Sequence, residues 1–194
     1  MRPFIDIHTH HPSDDVISPT MSGIHPWDSD LGLQLPSFVE CDIIGETGLD
    51  FHCKADRDVQ EWLFIQHLNH AARMQKPVVI HCVKALEPTL DILADYPEIC
   101  GVLFHGFIGS KEQAERCLKR GYYLSFGARS LRSSRVREVI ATAPIEQIFC
   151  ETDDSLEPTI AEVYKEVAVL RGCSVEELLS AIEKNYKRLI IRDV

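Results

Sequence analysis

The chain has 194 residues, 45% of them hydrophobic, and 30 acidic against 20 basic residues give a formal net charge of -10. That length predicts one sizeable core in a single domain over residues 1–194, and the acidic balance counts against a generic polyanion binder. No apolar stretch approaches the ~18 residues of a membrane span, so no membrane partner is expected; seven scattered cysteines, never spaced C-x-x-C, predict free thiols in a reducing, cytoplasmic setting.

In chain order, short apolar runs predict strands over Phe4–His10, Ser22–His25, Asp42–Thr47, Pro77–Cys82, Gly101–Gly106, Tyr122–Phe126 and Gln147–Thr152. Between them, helical patterns cover Asp58–Met74, Leu86–Ala94, Lys111–Lys119 and Ser134–Thr142. The tail adds two helices, one opened by "EPTIAEV" with proline just inside its start, the other by the capping box of Ser174 and Glu177 in "SVEE". Strands alternating with helices imply a parallel sheet, because parallel neighbours need a crossover between them. Seven or eight strands with no Gly-rich nucleotide loop favour an α/β fold of the TIM-like (β/α) barrel kind over an open doubly wound sheet.

The chemistry concentrates at strand ends. In "FIDIHTH" alternation puts Asp6, His8 and His10 on one face, with the two imidazoles about 7 Å apart along the backbone. An isolated H-x-H is more often a pair of satisfied polar residues than a ligand pair. Here, however, the strand pattern ends at Glu46 in "DIIGETGLD", near His81 in "PVVIHC", near His105 in "GVLFHGF" and near Asp153 in "QIFCETDD". In a parallel barrel those ends gather on one face, where catalytic groups belong. Six such residues would be costly to bury without partners, and divalent cations supply the partners.

The ordered set "DIHTHH", "GIHPW", "GETGLDF", "VVIHC", "FHGFIGS" and "CETDD" resembles the TatD family of metal-dependent hydrolases, barrel members of the amidohydrolase superfamily. The resemblance extends to the tail "EVYKEVAVLRGCSVEELLSAIEKNYKRLI". It implies a binuclear centre: His8, His10 and Asp153 on one metal, His81 and His105 on the other, and Glu46 bridging both. Such a set suits two divalent ions, Zn²⁺ or Mn²⁺ before Mg²⁺, because nitrogen donors favour softer cations. In that scheme the nucleophile is an activated water, with Glu46 and Asp153 as the catalytic carboxylates and Asp153 as general base.

Other residues carry smaller expectations. His25 and His52, at or just beyond strand ends, are candidate substrate contacts, and Arg129 in the basic run "GARSLRSSRVR" is a candidate phosphate clamp. Asp50 and Glu151 read as hydrogen-bond partners of ligands. His67 and His70 read as helix packing or surface, and Cys82 and Cys150 as packing.

Two departures qualify the resemblance. Only fourteen residues, His11 to Ile24, separate the first motif from "GIHP", so one barrel unit is shortened to a loop with "DVIS" as a remnant strand. The basic loop that follows E-T-D in the family is absent. The expected function is therefore metal-dependent hydrolysis of ester bonds, in the manner of a TatD-like deoxyribonuclease or exonuclease on small phosphoesters or nucleic-acid ends, without stable duplex DNA binding. Alternatives are an amidase or lactonase of the same superfamily, and a metal-binding protein that has lost catalysis.

Overall fold

The computed structural model describes residues 2–192. The strands are β1 (Phe4–Ile5), β2 (Val16–Ile17), β3 (Met21–Ser22), β4 (Ile43–Asp50), β5 (Val78–Val83), β6 (Val102–Phe104), β7 (Tyr123–Phe126) and β8 (Ile148–Cys150). The α-helices are α1 (Arg57–Met74), α2 (Leu86–Ala94), α3 (Lys111–Leu118), α4 (Ala128–Arg132), α5 (Ser134–Thr142), α6 (Ile160–Arg171) and α7 (Val175–Tyr186). Two compact units emerge, one of residues 20–104 and one of residues 1–19 with 105–194.

In the unit of residues 20–104, β3, β4, β5 and β6 pair in parallel in that order, with Ser22 opposite Ile44, Ile44 opposite Val78 and Val79 opposite Leu103. Ile43, Ile44, Val78, Val79 and Ile80 are all fully buried. Runs of this kind, without polar alternation, are what a parallel strand covered on both faces requires. α1 packs against β4. It starts where the Asp56 carboxylate accepts the amides of Asp58 and Val59, and it ends at Gln75 in the left-handed region. Its buried Leu63, Phe64, Leu68 and Ala71 recur at helical spacing, so one face reaches the core. Truncating one of these leucines to alanine should cost about 2–5 kcal/mol.

In the unit of residues 1–19 with 105–194, β1 pairs with β2 and β7 with β8, both in parallel. Capping boxes open three helices: Ser110 with Gln113, Thr159 with Glu162, and Ser174 with Glu177. Tyr164, buried on α6, donates its hydroxyl to the Ile5 carbonyl at 3.0 Å. Asn185, buried on α7, donates to the carbonyls of Ile145 and Ile148. These side chains satisfy main-chain acceptors that short strands leave over.

Several expected boundaries shift. Regular pairing of the first strand stops at Ile5; bends at Ile7, His8 and His10 interrupt the expected run to His10, and only an isolated parallel bridge, Thr9 to Asp153, continues the pairing there. The "DVIS" remnant does contain a strand, β2. The third predicted strand runs past Glu46 to Asp50, with a register break between Ile44 and Thr47, so Glu46 lies within β4 rather than at its end. Pro158 precedes the α6 cap instead of lying inside the helix, because Thr159 takes the capping role. The short α4 was not marked by any apolar period. Among the described residues no helix is long and apolar enough to cross a membrane, and all seven cysteines are free thiols.

Candidate metal centre

In the unit of residues 20–104, three donor atoms converge. His81 Nδ1 lies 2.8 Å from Glu46 Oε1, His25 Nε2 lies 3.1 Å from the same oxygen, and the two imidazole nitrogens are 3.2 Å apart. Glycines allow this approach. A Cβ on Gly23 would meet the Gly45 backbone at 2.6 Å, and one on Gly48 would meet the His81 carbonyl at 2.2 Å. Gly45 and Gly48 also hold φ of +145° and +136°, which only glycine adopts readily, and they flank Glu46 and Thr47 at the break in register after Ile44.

The second nitrogen of each ring separates their roles. His81 lies between two carboxylates, with Nε2 3.3 Å from Asp50 Oδ2 and Nδ1 2.8 Å from Glu46 Oε1; the tautomer with its proton on Nε2, given to Asp50, is the one that turns Nδ1 to a cation. His25 Nδ1 instead accepts the Trp27 amide at 3.1 Å, so in the neutral ring Nε2 carries the proton. That makes His25 a donor to Glu46 or to a bound oxygen rather than a metal ligand, although the three side chains lie close enough to share an ion.

Asp50 organises this corner. Its Oδ2 also accepts Trp27 Nε1 at 2.6 Å, and its Oδ1 accepts the amides of His52 at 2.8 Å and Cys53 at 3.1 Å. Burial acts to raise its pKa, but the bonds from Trp27, His52, His81 and Cys53 outweigh it and hold the carboxyl below its ordinary value. It is therefore a carboxylate, the form that accepts from His81.

In the unit of residues 1–19 with 105–194, His8 Nε2 and His10 Nε2 lie 3.5 and 3.6 Å from Asp153 Oδ1. The main chain sets the triplet: Asp153 N donates to the His8 carbonyl at 3.0 Å, and His10 N donates to the Asp153 carbonyl at 2.9 Å. Asp153 adopts a left-handed φ of +58° to do so. His105, Glu151 and Asp153 form a second group there, and the His8 and His105 rings lie 4.3 Å apart. Glu151 is 1% exposed and accepts the Ser125 hydroxyl at 2.5 Å, as befits a carboxylate that positions its neighbours.

Asp6 does not join His8 and His10, because the strand alternation that would align them ends at Ile5. Its carboxylate accepts the Thr152 amide at 3.1 Å and hydroxyl at 2.6 Å, and the Thr9 and Thr152 hydroxyls are 2.9 Å apart. Burial pushes its pKa up to about 7 against those bonds. With Thr9, His11 and Thr152 it lines a cavity of about 280 Å³. The arrangement ties the histidine segment to the Asp153 segment.

The lower-ranked candidates fall in different settings. His52 is exposed, and its Nδ1 lies 3.3 Å from Lys84 Nζ. Arg129 is an exposed residue of α4, two positions after Gly127, whose missing Cβ leaves room for the Glu151 backbone. His67 is packing: its Nε2 accepts the Ile24 amide at 3.0 Å and its Nδ1 donates to the Leu63 carbonyl at 2.7 Å. Cys150 is fully buried, and Cys82 has its thiol pKa pushed up to about 11 by burial. Trp27 and Lys84 escaped the sequence reading. The aromatic residue directly after "HP" was the one available signal for Trp27.

The donor chemistry fits divalent metals. Imidazole nitrogens converge with carboxylate oxygens, and a carboxylate, Asp50, stands on the other side of the His81 ring. Parallel strands, covering helices and such donor groups define a metal-binding α/β protein. The model of the family described as TatD related DNase matches residues 9–191, and the chain belongs to that family.

The chain is 32% identical over 162 residues to the uncharacterised metal-dependent hydrolase YabD of Bacillus subtilis, covering 75% of this chain and 64% of that protein. It is 29% identical over 199 residues to the 3'-5' ssDNA/RNA exonuclease TatD of a Pantoea species, covering 87% of this chain and 76% of that one. Among solved structures, the TatD homologue YJJV of Escherichia coli superposes with a TM-score of 0.67 at 27% identity, over 76% of this chain and 62% of that one. A TatD family hydrolase of Entamoeba histolytica gives 0.69 at 18% identity, over 76% of this chain and 62% of that one. The fold class is thus α/β of the TIM-like (β/α) barrel kind. The chain spans less than two thirds of the length of YabD.

Proposed function

We propose that this TatD-family metal-dependent hydrolase cleaves phosphodiesters, with His8, His10, Glu46, His81, His105 and Asp153 as ligands of two divalent ions, Zn²⁺ or Mn²⁺ before Mg²⁺. The observation that carries the reading is the approach of His81 Nδ1 to Glu46 Oε1 at 2.8 Å, with the Asp50 carboxylate 3.3 Å from Nε2 on the other side of the same ring. When bound, such ions acidify water and neutralise charge on ester oxygens.

The chain's own groups do the rest. Asp153, a carboxylate 25% exposed, accepts the proton of the attacking water as general base. His25 donates from Nε2 to a non-bridging oxygen of the ester, with its ring orientation fixed by the Trp27 amide. Arg129 pairs with a phosphate of the substrate, and His52, whose Nδ1 lies 3.3 Å from Lys84 Nζ, is a further substrate contact.

The substrate is a small phosphoester or the end of a single strand. A net charge of -10 removes the electrostatic attraction that supplies most non-specific duplex affinity. The name of the Pantoea relative, an exonuclease on single-stranded DNA and RNA, supports the same class. Seven free thiols agree with a reducing, cytoplasmic location.

The test is hydrolysis of a chromogenic phosphodiester against matched amides and lactones, with and without chelator. Chelator-sensitive turnover of the phosphodiester alone supports the proposal. Turnover of amides or lactones instead assigns the amidase or lactonase chemistry of the wider superfamily.

A further inference from the structure

Trp27 is the large aromatic residue that the hydrolytic chemistry does not use, and its setting is unusual. Its residue surface is 59% exposed, yet its position is fixed at several points. The indole N–H donates to Asp50 Oδ2 at 2.6 Å, and the backbone N–H donates to His25 Nδ1 at 3.1 Å. Pro26 and a short 3-10 turn over Pro26–Asp28 fix the chain around it. Its ring centroid lies 4.7 Å from that of His25 and 6.0 Å from that of His81, each at a steep angle.

An exposed indole held this way has already lost the rotational freedom that stacking would cost. Other exposed apolar side chains of this unit, such as Leu31, Val39 and Trp62, have no such tie to the donor group. The Asp50 oxygen that holds the indole also faces His81. A group resting on Trp27 is therefore registered against the metal ligands.

We propose that Trp27 is a stacking platform for a nucleobase of the substrate, which makes the substrate a single-stranded oligonucleotide or its end. The inference rests on the phosphodiester reading above and deepens it. Every nucleobase offers a flat face, so stacking is tolerant of sequence. A duplex hides those faces inside its own stack, whereas a single strand presents them. Stacking also resolves the charge problem, because it supplies affinity that an acidic chain cannot draw from phosphate attraction. Binding should therefore depend weakly on salt.

The experiment compares thymidylyl-thymidine with its abasic diester analogue on the metal-loaded protein carrying Trp62→Phe, so that Trp27 is the reporting tryptophan. Thymidylyl-thymidine should quench Trp27 fluorescence and bind on the order of tenfold more tightly than the abasic diester. Trp27→Ala should abolish that preference, read by calorimetry, and Trp27→Phe should keep most of it. A Trp27→Ala protein that retains the preference overturns the platform. So does one that loses affinity for both diesters equally, since the indole then acts only through Asp50 and His81. Equal affinity of the two diesters for the parent protein, or no binding of thymidylyl-thymidine, also overturns it. Because binding needs no turnover, base-dependent binding without hydrolysis leaves the platform standing and removes the hydrolase reading. Hydrolysis of both diesters with equal affinity does the reverse.

Discussion

His81 and Asp50 stand on neighbouring parallel strands, with His81 Nε2 3.3 Å from the Asp50 Oδ2 that also accepts the Trp27 indole. The carboxylate thereby restrains the ring's rotation and favours a proton on Nε2. Asp50→Ala should weaken metal binding about 10- to 100-fold, with Asp50→Asn losing less because the amide oxygen still accepts. Competition against a fluorescent chelator measures this. Unchanged affinity in Asp50→Ala would remove the orienting role.

Glu46 should matter more than its neighbour. It reaches His81 Nδ1 at 2.8 Å and lies in the break in strand register between Ile44 and Thr47. Glu46→Ala should lower turnover about a hundredfold or more and reduce bound metal below that of Asp50→Ala. Metal counted by mass spectrometry on the dialysed variant decides this, and metal content equal to that of the parent protein would remove Glu46 from the ligand set.

Much of this corner was legible in the sequence. A β-branched run followed by a histidine or acid marks a strand that delivers a ligand, and His81 follows that pattern directly. Glu46 was found as a ligand candidate, but its place inside β4 was not, because Gly45 and Gly48 distort the strand in ways that hydrophobic alternation does not record. Asp6 was misplaced for a related reason. Alternation applies while a strand lasts, and the first one ends at Ile5. Trp27 was legible only as the aromatic residue that follows "HP" in "GIHPW", because its significance lies in a hydrogen bond to Asp50, twenty-three positions away.

Arg129 follows Gly127, whose lack of a side chain lets the turn sit against Glu151. Arg129→Ala should raise KM for a phosphodiester several-fold, about 1–2 kcal/mol for a lost charge-assisted hydrogen bond, without changing metal content. Steady-state kinetics beside metal analysis tests it. Unchanged KM would make Arg129 a surface charge.

His67 gives a pH dependence of stability. Burial depresses its pKa below the ordinary value, and its neutral ring accepts the Ile24 amide through Nε2. The unfolded chain takes up the proton near pH 6.5, whereas the folded ring resists it. The stabilisation is therefore complete above that pH and is lost as pH falls toward the lower folded value. Thermal unfolding from pH 7.5 to 5.5 should show a steeper loss in the parent protein than in His67→Gln, whose amide oxygen accepts the same bond without titrating. Equal slopes would contradict the assignment.

The central claim is that metal ions held by these histidines and carboxylates drive phosphodiester cleavage. Purified protein should be stripped with chelator, reloaded with measured equivalents of Zn²⁺ or Mn²⁺, and assayed on thymidylyl-thymidine at each step. The account predicts no turnover when stripped and activity that rises to a plateau at two equivalents per chain. Turnover that survives complete stripping, or a fully loaded protein that leaves the diester intact, would contradict it.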